Sequence, residues 1–328
     1  MRVGIDNYSL YPLKLDPIQT LEWAKRNNAE GVAFSGLDEK SRVLLTKEYL
    51  IDLKQFADSN NLFIEWGGGQ HIPWNMDSWN KKDIFDINRR GAEEASLLDI
   101  KIIRSCSGGL MRWNPENPKT EILLKDTAAA LLSQKQMIRD NNVILAIETH
   151  FEFTTFELIR IFEMCGAEPG EYLGICLDTM NLLTMLEEPV AATERILPWV
   201  VSTHIKDGAL LLSSDGLTTF PVKIGGGVVK ITEIIQLLKT VSDKINLSIE
   251  DHGGSFLLPI FNRTFLSEFP DLTIDEYTDL FRLSEKSKSK ISDGQIKITE
   301  RSVWPSICEN RIQHDIVSLK SIVSGIKE

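Results

Sequence analysis

Eight short apolar runs recur along the chain, and each is followed by a longer segment whose apolar residues fall three and four apart. The runs are "RVGID" (2–6), "GVAFS" (31–35), "LFIEW" (62–66), "IKIIRS" (100–105), "VILAIE" (143–148), "LGICLD" (173–178), "VVSTHI" (200–205) and "INLSIE" (245–250). They are too short and too uniformly apolar for strands with one wet face, which matches parallel strands covered on both sides. Between them, "PIQTLEWAKRNN", "KEYLIDLKQFADSNN" and "KITEIIQLLKTVS" carry helical spacing, with Asn-rich ends at which helices can stop. The repeating unit is therefore βα, and eight such units close into an α/β (β/α)8 TIM barrel. An open doubly wound sheet competes, but it expects a GxGxxG turn after the first strand, and "VGIDNYSLYP" has none.

One barrel domain over 1–328 is expected, with an insertion at 255–304 ahead of the last helix, "PSICENRIQHDIVSLKSIV". An insertion of that length is not a passive loop. Within it "TIDEYTDLFRLS" reads as a helix, with Thr273 and Glu276 as a capping box, and "EKSKSKISDGQ" reads as a flexible surface connector. Its Phe and Leu residues are expected to bury themselves over the barrel mouth as a lid, or against another subunit.

Composition narrows the partners. At 42% hydrophobic and 25% charged over 328 residues the chain is that of a globular protein, and no segment offers the ~18 apolar residues of a membrane span. The N-terminus lacks a basic region followed by an apolar core, so a cytoplasmic protein with no membrane partner is expected. The four cysteines form no CxxC pair and read as reduced, packed thiols. A net charge of −11 argues against nucleic acid and for a small or neutral substrate. A homo-oligomer, or a complex with a second subunit, is expected from the insertion.

In a TIM barrel the strand C-termini face the side that carries chemistry. The fifth run ends in Glu148, the sixth in Asp178, the seventh reaches His204 and the eighth ends in Glu250. Any one of these is explained as a polar exit from the core or a helix cap. Four in consecutive strands are not so easily dismissed. Three carboxylates converging without a cation would repel one another and lose solvation, so a bound metal is expected. Three oxygen donors and one imidazole suit Mn²⁺ or Mg²⁺, with Co²⁺, Fe²⁺ or Zn²⁺ as alternatives, and leave positions on the ion for a substrate.

The segments "AIETH", "GICLDTMN", "VSTHIKD" and "LSIEDHGG" resemble the xylose isomerase-like TIM-barrel superfamily, in particular its sugar phosphate isomerase/epimerase branch, in strand order over about the first 254 residues. The resemblance implies that Glu148, Asp178, His204 and Glu250 bind a divalent metal, commonly manganese, and that Glu148 and Glu250 act as opposed acid and base in an isomerase or epimerase. Asn181 departs from the pattern, since epimerase members often have histidine at this place. His150 shares a strand face with Glu148, and its Glu-x-His arrangement resembles C-glycoside deglycosidase large subunits, in which the histidine is the base. That resemblance supports an alternative, a metal-dependent lyase, dehydratase or decarboxylase acting on a keto sugar. A DNA-repair endonuclease of the endonuclease IV type needs more histidine and acidic ligands and a basic groove, which five histidines and an acidic balance do not supply.

Further substrate contacts are expected from Lys206, which shares a face with His204, and from Arg104, as a partner for carboxylate or phosphate or as a structural ion pair. Asn181, Glu65, His71 and Trp113 complete the candidates, the tryptophan as a platform for a sugar face. Asp207 is expected only to cap the next element, and the glycine runs 67–69 and 225–227 to make tight loops near the substrate.

Overall fold

All eight apolar runs form parallel strands, and their hydrogen bonding closes a ring. The computed structural model describes residues 1–37, 39–107, 109, 111–114 and 116–326. In chain order the strands are β1 Val3–Asp6, β2 Gly31–Phe34, β3 Phe63–Gly69, β4 Ile102–Ser105, β5 Ile144–Glu148, β6 Leu173–Asp178, β7 Val200–Ile205, β8 Asp207–Leu212, β9 Leu217–Val222, β10 Leu247–Ile249 and β11 Phe256–Leu258. The barrel runs β1-β10-β7-β6-β5-β4-β3-β2 and closes on itself, while β8, β9 and β11 form a separate sheet. A (β/α)8 barrel is thus the fold, with the accessory sheet added to it.

Local chemistry sets where the helices begin. Asp16 caps Pro17–Arg26 in a reciprocal box with Gln19, and Thr154 does the same for Thr155–Met164 with Glu157. The wall between β1, β2 and β3 requires glycine, because a Cβ on Gly31 would lie 2.2 Å from Phe63 Cγ.

Register decides where the strand ends meet. Asp178 lies opposite His204 across β6 and β7, His204 lies opposite Ser248 of β10, and Glu148 lies opposite Cys176, two residues before Asp178. Successive strands are staggered around the ring as closure demands, so Glu148, Asp178, His204 and Glu250 arrive at one rim.

The insertion buries several of its apolar residues within this chain, while Leu257, Phe261 and Ile274 stay exposed. Leu258, Ile260, Phe265, Phe269, Leu280 and Leu283 are all buried, and β11 pairs antiparallel with β9. Thr273 caps Ile274–Ser292, its hydroxyl accepting from the Glu276 N–H. That helix runs through most of "EKSKSKISDGQ", which corrects the reading of this stretch as a connector. The cause is two serines. Ser287 and Ser284 turn toward the free edge of β8, and their hydroxyls accept from the N–H groups of Leu210 and Leu212 at 3.1 and 3.0 Å. A sheet edge that would otherwise stay unpaired is closed by side chains.

Asp207 does more than cap. Its buried carboxylate accepts from the N–H groups of Gly208, Gly225, Gly227 and Val229 at 2.8 to 3.2 Å. The 225–227 glycines therefore wrap this carboxylate, where a Cβ on Gly227 would lie 2.0 Å from Asp207 Oδ1. None of the three lines the cavity at the barrel mouth. Replacing Asp207 by alanine strands several buried donors at once, so thermal or denaturant unfolding is expected to show a loss of about 3 kcal/mol or more; a change below ~1 kcal/mol would mean that water satisfies the loop.

Candidate active site

The four rim residues come together as the strand ends suggested. Glu148, Asp178, His204 and Glu250 each offer one donor atom, these atoms lie within 4.8 Å of one another, and all four side chains are buried. His204 Nδ1 lies 3.1 Å from Glu148 Oε1, and its Nε2 lies 3.3 Å from Asp6 Oδ2 at the end of β1. Asp6 is a site residue that the sequence reading passed over, although "VGID" ends a strand in a carboxylate just as "GICLD" does. Backbone N–H groups of Met180 and Asn181 donate to Asp178 Oδ1, each at 2.9 Å, which fixes that carboxylate.

Cations of the chain itself grip the cluster. Lys206 Nζ donates to Asp178 Oδ2 at 2.9 Å and also to Glu250 Oε2, so one ammonium spans two of the four donors. Arg104 Nη2 donates to Glu148 Oε2 and its Nη1 to the Ser35 carbonyl at 2.9 Å. Of the two roles open to Arg104, the structure takes the ion pair. Burial pushes the Glu148 carboxyl up, but Arg104 and His204 outweigh it and hold it well below the usual carboxylate range. Burial likewise opposes ionisation of Glu250, and Lys206 and His204 reverse it. These residues fit a divalent metal: three oxygens and one nitrogen converge, already bridged in part by a positive charge.

Beside the cluster opens a cavity of about 270 Å³ whose lining includes Arg104, Glu148, His150, Asn181, Lys206 and Glu250. His150 faces it with its Nδ1 2.6 Å from Glu152 Oε2. Cys106, His150 and Glu152 bring one donor atom each within 4.8 Å of the others. Burial pushes the His150 imidazole down, while Cys106 and Glu152 raise it well above its ordinary value. Glu152 extends the alternation Glu148, His150, Glu152 by one more step, a signal present in the sequence. His252, also in the cavity wall, packs edge-on to Tyr8 at 5.3 Å, and burial lowers its pKa to about 4.

Three expected substrate contacts sit elsewhere. Glu65 turns into the barrel interior, where it accepts from Asn246 Nδ2 at 3.1 Å and Ser248 Oγ at 3.3 Å, and burial raises its pKa to about 7. Ser248 precedes Glu250 by two residues, so Glu65 lies a layer below the rim. His71 is fully buried, with Nδ1 2.9 Å from Ser105 Oγ and Nε2 3.6 Å from Glu152 Oε1; it backs Glu152 instead of facing the cavity. Trp113 donates to the Leu257 carbonyl at 3.0 Å and packs against Phe265, which commits its ring to the insertion.

Residues 21–264 match the family described as xylose isomerase-like TIM barrel. A curated relative, 3-oxo-isoapionate decarboxylase of Pectobacterium atrosepticum, is 28% identical over 159 residues; the match spans 48% of this chain and about half, 54%, of that protein. The fold is shared with the probable 3-DHS dehydratase AsbF of Bacillus anthracis, at TM-score 0.60 and 16% identity over 76% of this chain and 93% of that one. It is shared too with a zinc-bound IOLI protein, at 0.58 and 15% over 91% and 100%. A D-psicose 3-epimerase crystallised with D-fructose gives 0.57 and 13% over 88% and 97%. Among the described residues no helix is long and apolar enough to cross a membrane.

The His150–Glu152 pair has a direct readout. Because the folded imidazole is raised, the pair stabilises the fold fully below the unfolded histidine value of ~6.5, and this contribution fades as pH rises through the higher folded value. Glu152→Gln is expected to lower the His150 pKa in an NMR titration of its ring protons; an unmoved titration would show that Glu152 does not hold the proton there.

Proposed function

This chain belongs to the xylose isomerase-like TIM-barrel family, and from that premise we propose a divalent-metal-dependent isomerase or epimerase of sugars or keto sugars that works by proton transfer next to a carbonyl. The observation that carries the proposal is the buried convergence of Glu148, Asp178, His204 and Glu250 beside a cavity of sugar size. Those four would hold the cation, with Mn²⁺ suited to three carboxylates and an imidazole. When bound, it would polarise a substrate carbonyl and its neighbouring hydroxyl and so acidify the adjacent C–H.

The remaining work falls to side chains. In the barrel order Glu148 ends β5 and Glu250 follows β10, with β6 and β7 between them, so the two glutamates flank the cluster. One accepts a proton from one face of the substrate carbon, and the other returns a proton from the opposite face, which gives epimerisation. Return by the same group to the neighbouring carbon gives aldose–ketose isomerisation. Arg104 and Lys206 restrain the two carboxylates in position, and the Lys206 ammonium, at the cavity wall, can donate to a substrate oxygen. Cys106, Asn181 and His252 also line the wall.

A second reading, decarboxylation or elimination from a keto sugar, is favoured by one specific contact. His150 points into the cavity with a buried carboxylate orienting its far nitrogen, the arrangement that prepares an imidazole for proton transfer. The decarboxylase relative gives that reading an independent, partial support.

Purified protein is expected to carry about one divalent ion per chain, the occupancy one such four-donor site allows, and His204→Ala to lose it in metal analysis. Full occupancy after that substitution would reject the ligand set. Incubation of keto sugars in D₂O separates the two readings. Deuterium at a sugar carbon without loss of water or CO₂, reduced at least ~10²-fold by Glu148→Gln or Glu250→Gln, supports isomerase chemistry. Loss of a fragment that depends on His150 supports the second reading.

A further inference from the structure

We propose that a recess lined by Arg42, Lys82 and Arg90 binds an anionic group, a carboxylate or a phosphate, at the end of the substrate remote from the reacting carbon. This rests on the reading of the rim as a sugar site and specifies the substrate class. The recess, about 380 Å³, adjoins the catalytic cavity, and Ser35, Gly36, Arg104 and Cys106 line both. One molecule can therefore reach across the shared wall.

Charge is what sets the recess apart. The chain as a whole carries −11, yet four cations, Arg42, Lys82, Arg90 and Arg104, surround this one space. Glu94 is the carboxylate among its lining residues, and Glu94 Oε2 accepts from the Trp66 indole at 2.9 Å. Arg104 is committed to Glu148. Among the described residues Arg42, Lys82 and Arg90 have no carboxylate partner, and Lys82 Nζ donates to the amide oxygen of Gln70 at 3.2 Å. Three separate elements supply them: Arg42 lies in the helix Glu39–Leu44, Arg90 in the helix Phe85–Leu97, and Lys82 in the loop before it. The close approach of Arg42 is built into the backbone. Gly68 has φ of 91°, and a Cβ there would lie 3.0 Å from Arg42 Nη2, so the guanidinium rests against a strand segment that glycine alone keeps clear.

A neutral sugar leaves such a group of cations uncompensated, whereas a carboxylate or phosphate accepts forked, charge-assisted hydrogen bonds from arginine. The acidic balance of the chain points to a small or neutral substrate, and on this proposal the substrate is small with one anionic end.

Calorimetric titration of the purified protein with inorganic phosphate, and separately with malonate, reads the recess without turnover. At least one of the two is expected to bind in the millimolar range and to bind about tenfold or more weakly to the Arg42→Gln/Arg90→Gln variant, as loss of charge-assisted contacts dictates, with metal content unchanged. Whichever anion binds more tightly names the group. Both arginines are exposed, and Lys82→Gln read in the same way serves if the double variant does not fold. Failure of both anions to bind wild type, or equal binding by wild type and variant, overturns the proposal. A wild-type protein that takes up no metal but still shows the arginine-dependent binding would defeat the enzymatic reading alone.

Discussion

Four carboxylates, those of Asp6, Glu148, Asp178 and Glu250, are buried at one end of the barrel, each no more than 6% exposed. Left alone, each would cost several kcal/mol or give up its charge. Arg104 pairs with Glu148 and Lys206 with both Asp178 and Glu250, two positive charges against three carboxylates, and His204 stands between Glu148 and Asp6. A histidine that ligates a metal must be neutral. With His204 neutral, the four carboxylates exceed the two fixed cations by two charges, which is the charge of a divalent ion. Electrostatics thus asks for what the donor geometry can hold.

Placement of those charges depends on parallel strands. Closing eight of them staggers the register, and the stagger brings residues from four separate strands to one level while leaving each anchored in a rigid, hydrogen-bonded element. Glu148 and Asp178 belong to strands whose preceding residues are almost all buried, so neither carboxylate can retreat into solvent without unfolding its strand. The network continues outward through Glu152, which lies between His150 and His71, to Ser105 at the end of β4. A second row of polar side chains thereby backs the groups that face the cavity.

The barrel could be read in the sequence because a strand buried on both faces has nowhere to put a polar residue before its end. That makes both the apolar run and its terminal Glu or Asp visible. The same rule applied to "VGID" would have found Asp6. The hairpin of β8 and β9 was missed although its turn, Ser213–Gly216, ends in the Asp-Gly pair that marks such turns; "ALLL" reads as a helix or strand equally well. "EKSKSKISDGQ" misled for a different reason. Most of its charges lie on a wet face and Ser287 on a packed one, and composition alone does not distinguish that helix from a linker. Glu65 and His71 were misplaced because a side chain near a strand end can point into the barrel or behind the rim. Arg42, Lys82 and Arg90 carry no pattern at all. Lys82 and Arg90 are near neighbours in the chain, but Arg42 comes from a helix well before them, and the association of all three exists only after folding.

The insertion supplies Phe256 and Arg301 to the cavity at the barrel mouth. It is fastened at a distance by Arg195 to Glu276, at 2.6 Å, and by Arg112 to the Glu268 carbonyl. A molecule that fills the mouth therefore touches residues whose positions persist only while this outlying segment stays docked. Its binding free energy is shared with the local folding equilibrium of the segment, by RT ln(1 + [L]/Kd). Saturation slows the opening of a region that contributes none of the four converging rim residues, and any weakening of the distant arginine clasps reappears as a lower apparent affinity at the centre.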